Sequence, residues 1–421
     1  MQYETSFRGE REDLCSPNDA RVVIAKYGSN RPNLDKTEMV ESFYAPVLEN
    51  YRQGDKKLED LRSDLTPKQL KEEYKRLLDA IKKEVEDFGK RWDQDIIKER
   101  SDAFELIMCE MARKYFLSDK QDWATMTDVR TDCKRHVDLI LSFPIKEEPG
   151  SFLALAIDIS SDQRHNMHKK IKTRKDQMVN NDFDHDPDLT KLAQPKTNKP
   201  ATVPLIQVNP ENPKEKRIIF GALPVVFGMD VQKVSCLIKH FARLIETQDE
   251  LDKLQCGKET GTNNRCQYLA NLEFILEKIL EQHPCKKIFW QEIKSQLEYF
   301  KNTNGNYISN KSTIDHIEKI LAIVNTNLSS INKLTVGTKE LSLLAKTGGS
   351  YNDDIQYIKK HLDLYDNIGK GDFDDGVRKI IFSEYVTLNE VLPIQNVVSP
   401  VEKQIRDSNG RVVGKLRKSD K

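Results

Sequence analysis

Long apolar runs are missing from this 421-residue sequence, and so is any surplus of charge, since Lys+Arg and Asp+Glu both number 67. No stretch approaches the roughly 18 apolar residues needed to cross a bilayer, and the opening residues, MQYETSFRGERED, lack the apolar segment of a secretory leader. Zero formal charge and a pI near 7.1 exclude a globally basic nucleic-acid coat. Contact with a polyanion must therefore come from a local patch. Cysteine is scarce: seven residues, an odd number, are scattered with no CxxC pair. That excludes a disulfide framework and a zinc knuckle, and it points to a reducing, cytoplasmic compartment. Delivery to another cell by a leaderless route is compatible with the same features. Internal repeats are absent too. What is there is 32% charged and 38% hydrophobic residues, enough apolar material for a core. At roughly 150 residues per domain the length suits two or three domains.

Residues 1–50 show no clear periodicity and hold turn-forming clusters, Ser16-Pro17-Asn18-Asp19 and Ser29-Asn30-Arg31-Pro32-Asn33. Thr66-Pro67-Lys68-Gln69 is a capping box, after which Leu70, Tyr74, Leu77, Ile81, Val85, Phe88 and Trp92 form one helical stripe. A second helix is expected from about Ser101-Asp102, burying Phe104, Ile107, Met108, Met111 and Tyr115. The pattern then turns to strands. Residues 137–143 (VDLILSF) and 152–160 (FLALAIDIS) alternate and flank a turn at Pro149-Gly150, so they predict an antiparallel hairpin. A basic helix follows over about 163–179, then an excursion loop over 181–216. Residues 217–229 (RIIFGALPVVFGM) read as two short strands broken by Pro224 and two glycines. From 231 to about 344 the chain reads as helical. One stripe comprises Leu272, Ile275, Leu276, Ile279 and Leu280, and a second comprises Ile288, Ile293, Leu297 and Phe300. The basic end, 411–421, is expected to fray.

Candidate chemistry gathers in 100–230. Asp138 and Asp158 interrupt the two apolar strands, and a buried carboxylate must be exposed, paired or bound to a cation. Asp158 shares its strand face with Ala154 and Ala156, whose small side chains leave room for a ligand. In the basic helix, Met167, Ile171 and Met178 mark the core face, Lys169 points away, and Lys170 lies at the boundary, from which it can fold back to the strand end.

With Asp138 in VDLILSF and Asp158 in LAIDIS, within the order helix, strand, strand, basic helix, strand, the segment resembles the PD-(D/E)XK nuclease superfamily, the restriction-endonuclease-like fold. The likeness covers about 130 residues and extends to FELIMCEMARKYF, similar to the first core helix of Mrr-like members, with Glu105 at the position of their helix glutamate. One departure matters: the acid–x–Lys motif reads Asp158-Ile159-Ser160, so Ser160 takes the lysine's seat. Some members carry that lysine in the next helix, and MHKKI resembles their run, so Lys170 is the candidate, with Lys169 second. The resemblance implies an α/β fold with a small mixed β-sheet core at 100–230, flanked by a helical N-terminal region (1–99) and a mostly helical C-terminal region (231–421). It implies Mg²⁺ or Mn²⁺ held by Asp138, Asp158, the Ile159 carbonyl and Glu105, with Lys170 and Ser160 completing a phosphodiester-hydrolysing site. DNA is the substrate it implies. Arg164, Lys169, Lys172, Arg174 and Lys175 would contact the phosphate backbone.

Two other readings compete. Ser160 and the neutral charge suit a scaffold that keeps this core without catalysis and binds nucleic acid or protein. The third is a helical interaction protein, in which the strands are misread; separately, a homodimer or a protein partner bound through the helical regions is compatible with the sequence. Asp182, Asp184, His185, Asp186 and Asp188 form a weaker metal candidate. Residues 372–376 miss the calcium-loop spacing by one, and 257–260 do not make a phosphate-binding loop. His165, His168, His240 and His283, like Cys109 and Cys236, read as surface or packing residues.

Overall fold

The computed structural model describes residues 15–31, 96–180 and 205–331 apart from short breaks, isolated helical positions between 72 and 83, and two short strands at 403–406 and 412–416. The stripe at 70–92, the acids of 182–188 and the segments 257–260 and 372–376 lie outside the described residues.

The first element corrects a sequence expectation. Ser16-Pro17-Asn18-Asp19 starts helix α1 (Pro17–Tyr27). The Asp19 N–H donates to Ser16 Oγ at 3.2 Å, the Ser16 N–H donates to Asp19 Oδ2 at 2.7 Å, and proline occupies the first turn. This reciprocal cap satisfies two helix-end donors. Residues read as a turn were a helix start. Helix α2 (Ile96–Met111) starts five residues before Ser101 and buries Phe104, Ile107, Met108 and Met111 as its periodicity predicts, whereas Tyr115 falls in the closing π turn, Ala112–Phe116, and is half-buried.

Four strands form a mixed sheet in the order β1-β2-β3-β6: β1 (Trp123–Met126), β2 (Leu139–Pro144), β3 (Phe152–Ser160) and β6 (Leu223–Gly228). The β1–β2 and β2–β3 pairs are antiparallel, with Leu139 opposite Ile157, while β6 lies parallel to β3 with Val226 opposite Asp158. The return from β3 to β6 carries helix α3 (Arg164–Asn180) and a separate hairpin, β4 (Leu205–Val208) with β5 (Lys216–Ile219). β1 was not expected, and β4 lies inside the segment read as a loop. Pro224 does not break β6. The backbone N–H two residues on, at Val226, points away from β3 to the Gln296 side chain at 2.9 Å, so the N–H that proline lacks would also have pointed off the ladder. The break falls instead at Gly221, whose φ of 65° favours glycine.

Helices α4 (Val231–Cys256), α5 (Asn263–Glu281), α6 (Pro284–Asn304) and α7 (Lys311–Ser329) follow. The expected stripes on α5 and α6 are buried, in one core shared with α1, α2 and the face of β3 that carries Leu153, Leu155, Ile157 and Ile159. Each large apolar side chain withdrawn there stabilises the fold by about 1.5–3 kcal/mol. The Gln296 amide also donates to the Val226 carbonyl at 2.6 Å, so α6 covers the outer edge of β6. On the opposite face of β3, Ala154 and Ala156 pack with Val137, Ile140, Leu205, Ile219 and Ala222. The room left by those alanines is filled by the β4–β5 hairpin, not by a ligand. Arg217 of β5 clamps this cover, with its guanidinium 3.5 Å from the Trp123 ring centre and donating to Ser142 Oγ at 2.9 Å. The protein is thus a mixed α/β fold with a small mixed sheet flanked by helices.

Candidate metal centre

Asp138 lies just before β2 and brackets Asp158 on the neighbouring strand. Its N–H donates to the Ile157 carbonyl at 2.9 Å, and its Oδ2 accepts from the Ile159 N–H at 2.7 Å. A side-chain oxygen therefore takes the bond that a ladder carbonyl would otherwise accept. Both aspartates are buried, at 6% and 4% exposure. Ile159, expected to offer its carbonyl to a metal, meets Asp138 through its N–H.

Carboxyl oxygens of Glu105, Asp132 and Asp138 lie within 4.8 Å of one another, a geometry that can hold a metal ion. Glu105 comes from α2 on the same buried face as Cys109, Ala112 and Phe116. Asp132, which no sequence pattern singled out, comes from the segment between β1 and β2. Two further groups contact Glu105: Arg31 Nη2 donates to its Oε2 at 2.7 Å, and Ser101 Oγ donates to its Oε1 at 3.3 Å. Arg31 also reaches Asp132 Oδ2 at 3.4 Å.

Arg31 stands against two buried carboxyls, Glu105 and Asp138, and the half-buried Asp132, and the proton affinities of the cluster reflect this crowding of acids. Burial pushes Glu105 up to about 8, with Asp132 and Asp102 adding to the rise and Arg31 opposing it. Burial, then Glu105, Asp132 and Asp158, raise Asp138 well above the carboxylate range. Asp132 is raised by burial despite the neighbouring Arg31. Burial alone would lower the Arg31 pKa, but Glu105, Asp132, Asp102 and Asp138 outweigh it and raise that pKa.

Asp158 stands beside this cluster and is satisfied from α3. Lys170 Nζ donates to Asp158 Oδ1 at 2.9 Å and to Ser160 Oγ at 3.2 Å, while Arg174 donates to Asp158 Oδ2 at 3.0 Å. The ammonium of the boundary lysine has thus folded back onto the strand end, over the serine that occupies the motif lysine's seat. Arg174 also donates to the carbonyls of Arg135 (2.8 Å) and His136, and to Gln177 Oε1 at 3.0 Å. It ties the segment bearing Asp132 and Asp138 to β3. His136 has φ 50°, a left-handed conformation that costs a non-glycine residue and is held here by Arg174.

The five basic residues expected on phosphate divide. Lys169 and Lys172 are exposed, and Arg164 opens α3. Arg174 and Lys175 are buried at 3% and 8%, which corrects their assignment to a solvent-facing phosphate patch. Lys175 donates to the Tyr299 hydroxyl at 3.0 Å. The helix wheel holds the signal for both: at 100° per residue they fall roughly 60° and 40° either side of the core residue Ile171. His240 and His283 are buried, in keeping with packing roles, and Cys109 is buried on α2 while Cys236 is half-buried on α4.

No family model matches the chain, and no curated protein and no solved structure matches it.

Proposed function

We propose that the chain is a metal-dependent nuclease of the restriction-endonuclease-like type, acting on DNA. The observation that carries this reading is the gathering of Glu105, Asp132 and Asp138 beside Asp158, with the Lys170 ammonium on Asp158 and Ser160. Three hard oxygen donors at this spacing suit Mg²⁺ or Mn²⁺ and do not suit a soft thiolate metal. When bound, such an ion polarises a scissile phosphate and lowers the pKa of its water. The chain's own residues do the rest. Lys170, half-exposed and 2.9 Å from Asp158, supplies the positive charge that Ser160 cannot, and it orients the attacking water. Ser160 holds that water or a phosphate oxygen. Exposed Lys169 and Lys172 attract the backbone without reading bases. Asp132 enters the ligand set that sequence assigned to Glu105, Asp138, Asp158 and Ile159, and Asp158 acts through Lys170.

Purified protein with Mg²⁺ or Mn²⁺ is expected to nick plasmid DNA, and Asp138→Ala and chelation are each expected to abolish it. Wild-type protein that cleaves neither DNA nor RNA would overturn the reading. One observation favours the scaffold alternative: both Asp158 oxygens are already taken, by Lys170 and Arg174. On that reading the chain retains DNA in a mobility-shift assay and cleaves none of it.

A further inference from the structure

Arg31 lies at the far end of α1, past a short 3₁₀ turn (Gly28–Asn30), and its N–H donates to the Gly28 carbonyl at 3.2 Å. From there its side chain enters a cluster whose other members come from α2 and from the segment before β2. Its Nη2 stands 2.7 Å from Glu105 and 3.4 Å from Asp132, two of the three carboxyls that face one another within 4.8 Å. Its side chain is 24% exposed and that of Glu105 is 11%, so solvent screens this pair little. A guanidinium and a divalent ion there draw on the same carboxyls, and two cations that close repel strongly in a buried site.

We infer that Arg31 is a built-in competitor of the divalent ion, an autoinhibitory contact by which the end of α1 sets how readily the acid cluster loads with metal. The inference rests on the metal reading of that cluster and adds its regulation. α1 is well placed for the role. It packs on α2, which carries Glu105, and on α4, and it is fastened by Arg21–Glu99 at 3.0 Å and Lys26–Asp249 at 3.1 Å. Both ion pairs are exposed and add little to the hold on the helix, which comes from buried Ala20, Val23 and Tyr27 and leaves the turn beyond Tyr27 as the part able to move. A movement of the 3₁₀ turn that carries Arg31 withdraws the guanidinium from Glu105 and Asp132. Metal loading is thereby coupled to the seating of the turn that ends the N-terminal helix.

The test is Mn²⁺ titration calorimetry on full-length protein without nucleic acid, comparing wild type with Arg31→Ala and Arg31→Lys. Arg31→Ala is expected to bind Mn²⁺ about tenfold or more tightly, and Arg31→Lys, which keeps the charge, to stay nearer wild type. Should Arg31→Ala be too unstable without metal, Arg31→Gln replaces it, read as the rise in melting temperature that Mn²⁺ produces. A larger rise than in wild type supports the competitor role, and an equal or smaller one overturns it. Equal or weaker Mn²⁺ affinity in a folded variant overturns the inference, as does the absence of saturable heat from wild type and variants alike. Tighter binding in Arg31→Ala together with no DNA cleavage by any form would uphold the competitor and sink the nuclease.

Discussion

Along one face of β3, Ala154 and Ala156 lie among apolar side chains of Leu205, Ile219 and Ala222, whereas Asp158 and Ser160, further along the same face, meet the ammonium of Lys170 and the former also meets the guanidinium of Arg174. The backbone is one regular strand throughout, and both ends are buried. The hairpin-covered end of β3 gains chiefly from apolar burial, with the cover pinned to β2 by Gln207 and Arg217. The other end carries a carboxylate whose desolvation has to be offset by paired cations and hydrogen bonds, an arrangement that well-packed apolar residues of equal volume would often match or better for stability. A fold that needed only stability would have continued the apolar pattern. The charged end is therefore where function is sought, and the covered end is scaffold.

Substitutions at the two ends break this contrast in different ways. Arg174→Ala strands Asp158 and the carbonyls of Arg135 and His136 together, so it is expected to cost about 3–5 kcal/mol in urea unfolding, with Asp158→Asn in that background recovering part of the loss. Lys170→Met touches a side chain that is 34% exposed. Its stability cost is expected to stay below about 1 kcal/mol. Its DNA cleavage is expected to fall by about 10²-fold or more in a single-turnover assay. Equal losses of stability and activity would instead give the lysine a structural role. At the covered end, Ala156→Leu overfills the space beneath β4–β5 and is expected to cost about 1–3 kcal/mol while leaving Mn²⁺ affinity unchanged. Altered affinity there would show that the two ends are coupled.

A milder test concerns the helical layer. His240 is fully buried, its Nε2 lies 3.1 Å from the Leu276 carbonyl, and burial lowers its pKa from 6.5 to about 4. The unfolded chain takes up the proton first, so the stability present above pH 6.5 should be lost as pH falls toward 4, at no more than about 1.4 kcal/mol per pH unit. His240→Gln should flatten that slope in denaturation curves taken between pH 7 and 4.5, without altering metal binding.

Much of this arrangement was legible in the sequence because it is periodic. The alternation of FLALAIDIS gave the limits of β3, and spacings of three and four residues placed the buried stripes of α2, α5 and α6. Lys170 was found by angle, since a boundary position on α3 is the one from which a long side chain reaches back to the strand. What escaped had no period. β1 has four residues, too few to alternate visibly. Asp132 is a helical position in the short connection before β2, its carbonyl accepting from the His136 N–H at 2.8 Å and its carboxyl 3.4 Å from Arg31, in a piece of chain too short to show a period. The capping box of α1 was hidden because Ser, Pro, Asn and Asp serve turns and helix starts equally well. Arg174 and Lys175 were misplaced because a basic run suggests a solvated face, although their positions beside Ile171 put them on the inner one.

Diffraction from Mn²⁺-soaked crystals, with an anomalous difference map, tests the central claim most directly. The expected result is one strong peak with carboxyl oxygens of Glu105, Asp132 and Asp138 at roughly 2.1–2.4 Å, and the Arg31 side chain displaced from Glu105. No peak at the cluster in crystals that bind Mn²⁺ elsewhere, or a cluster unchanged with Arg31 still seated at saturating Mn²⁺, would contradict it.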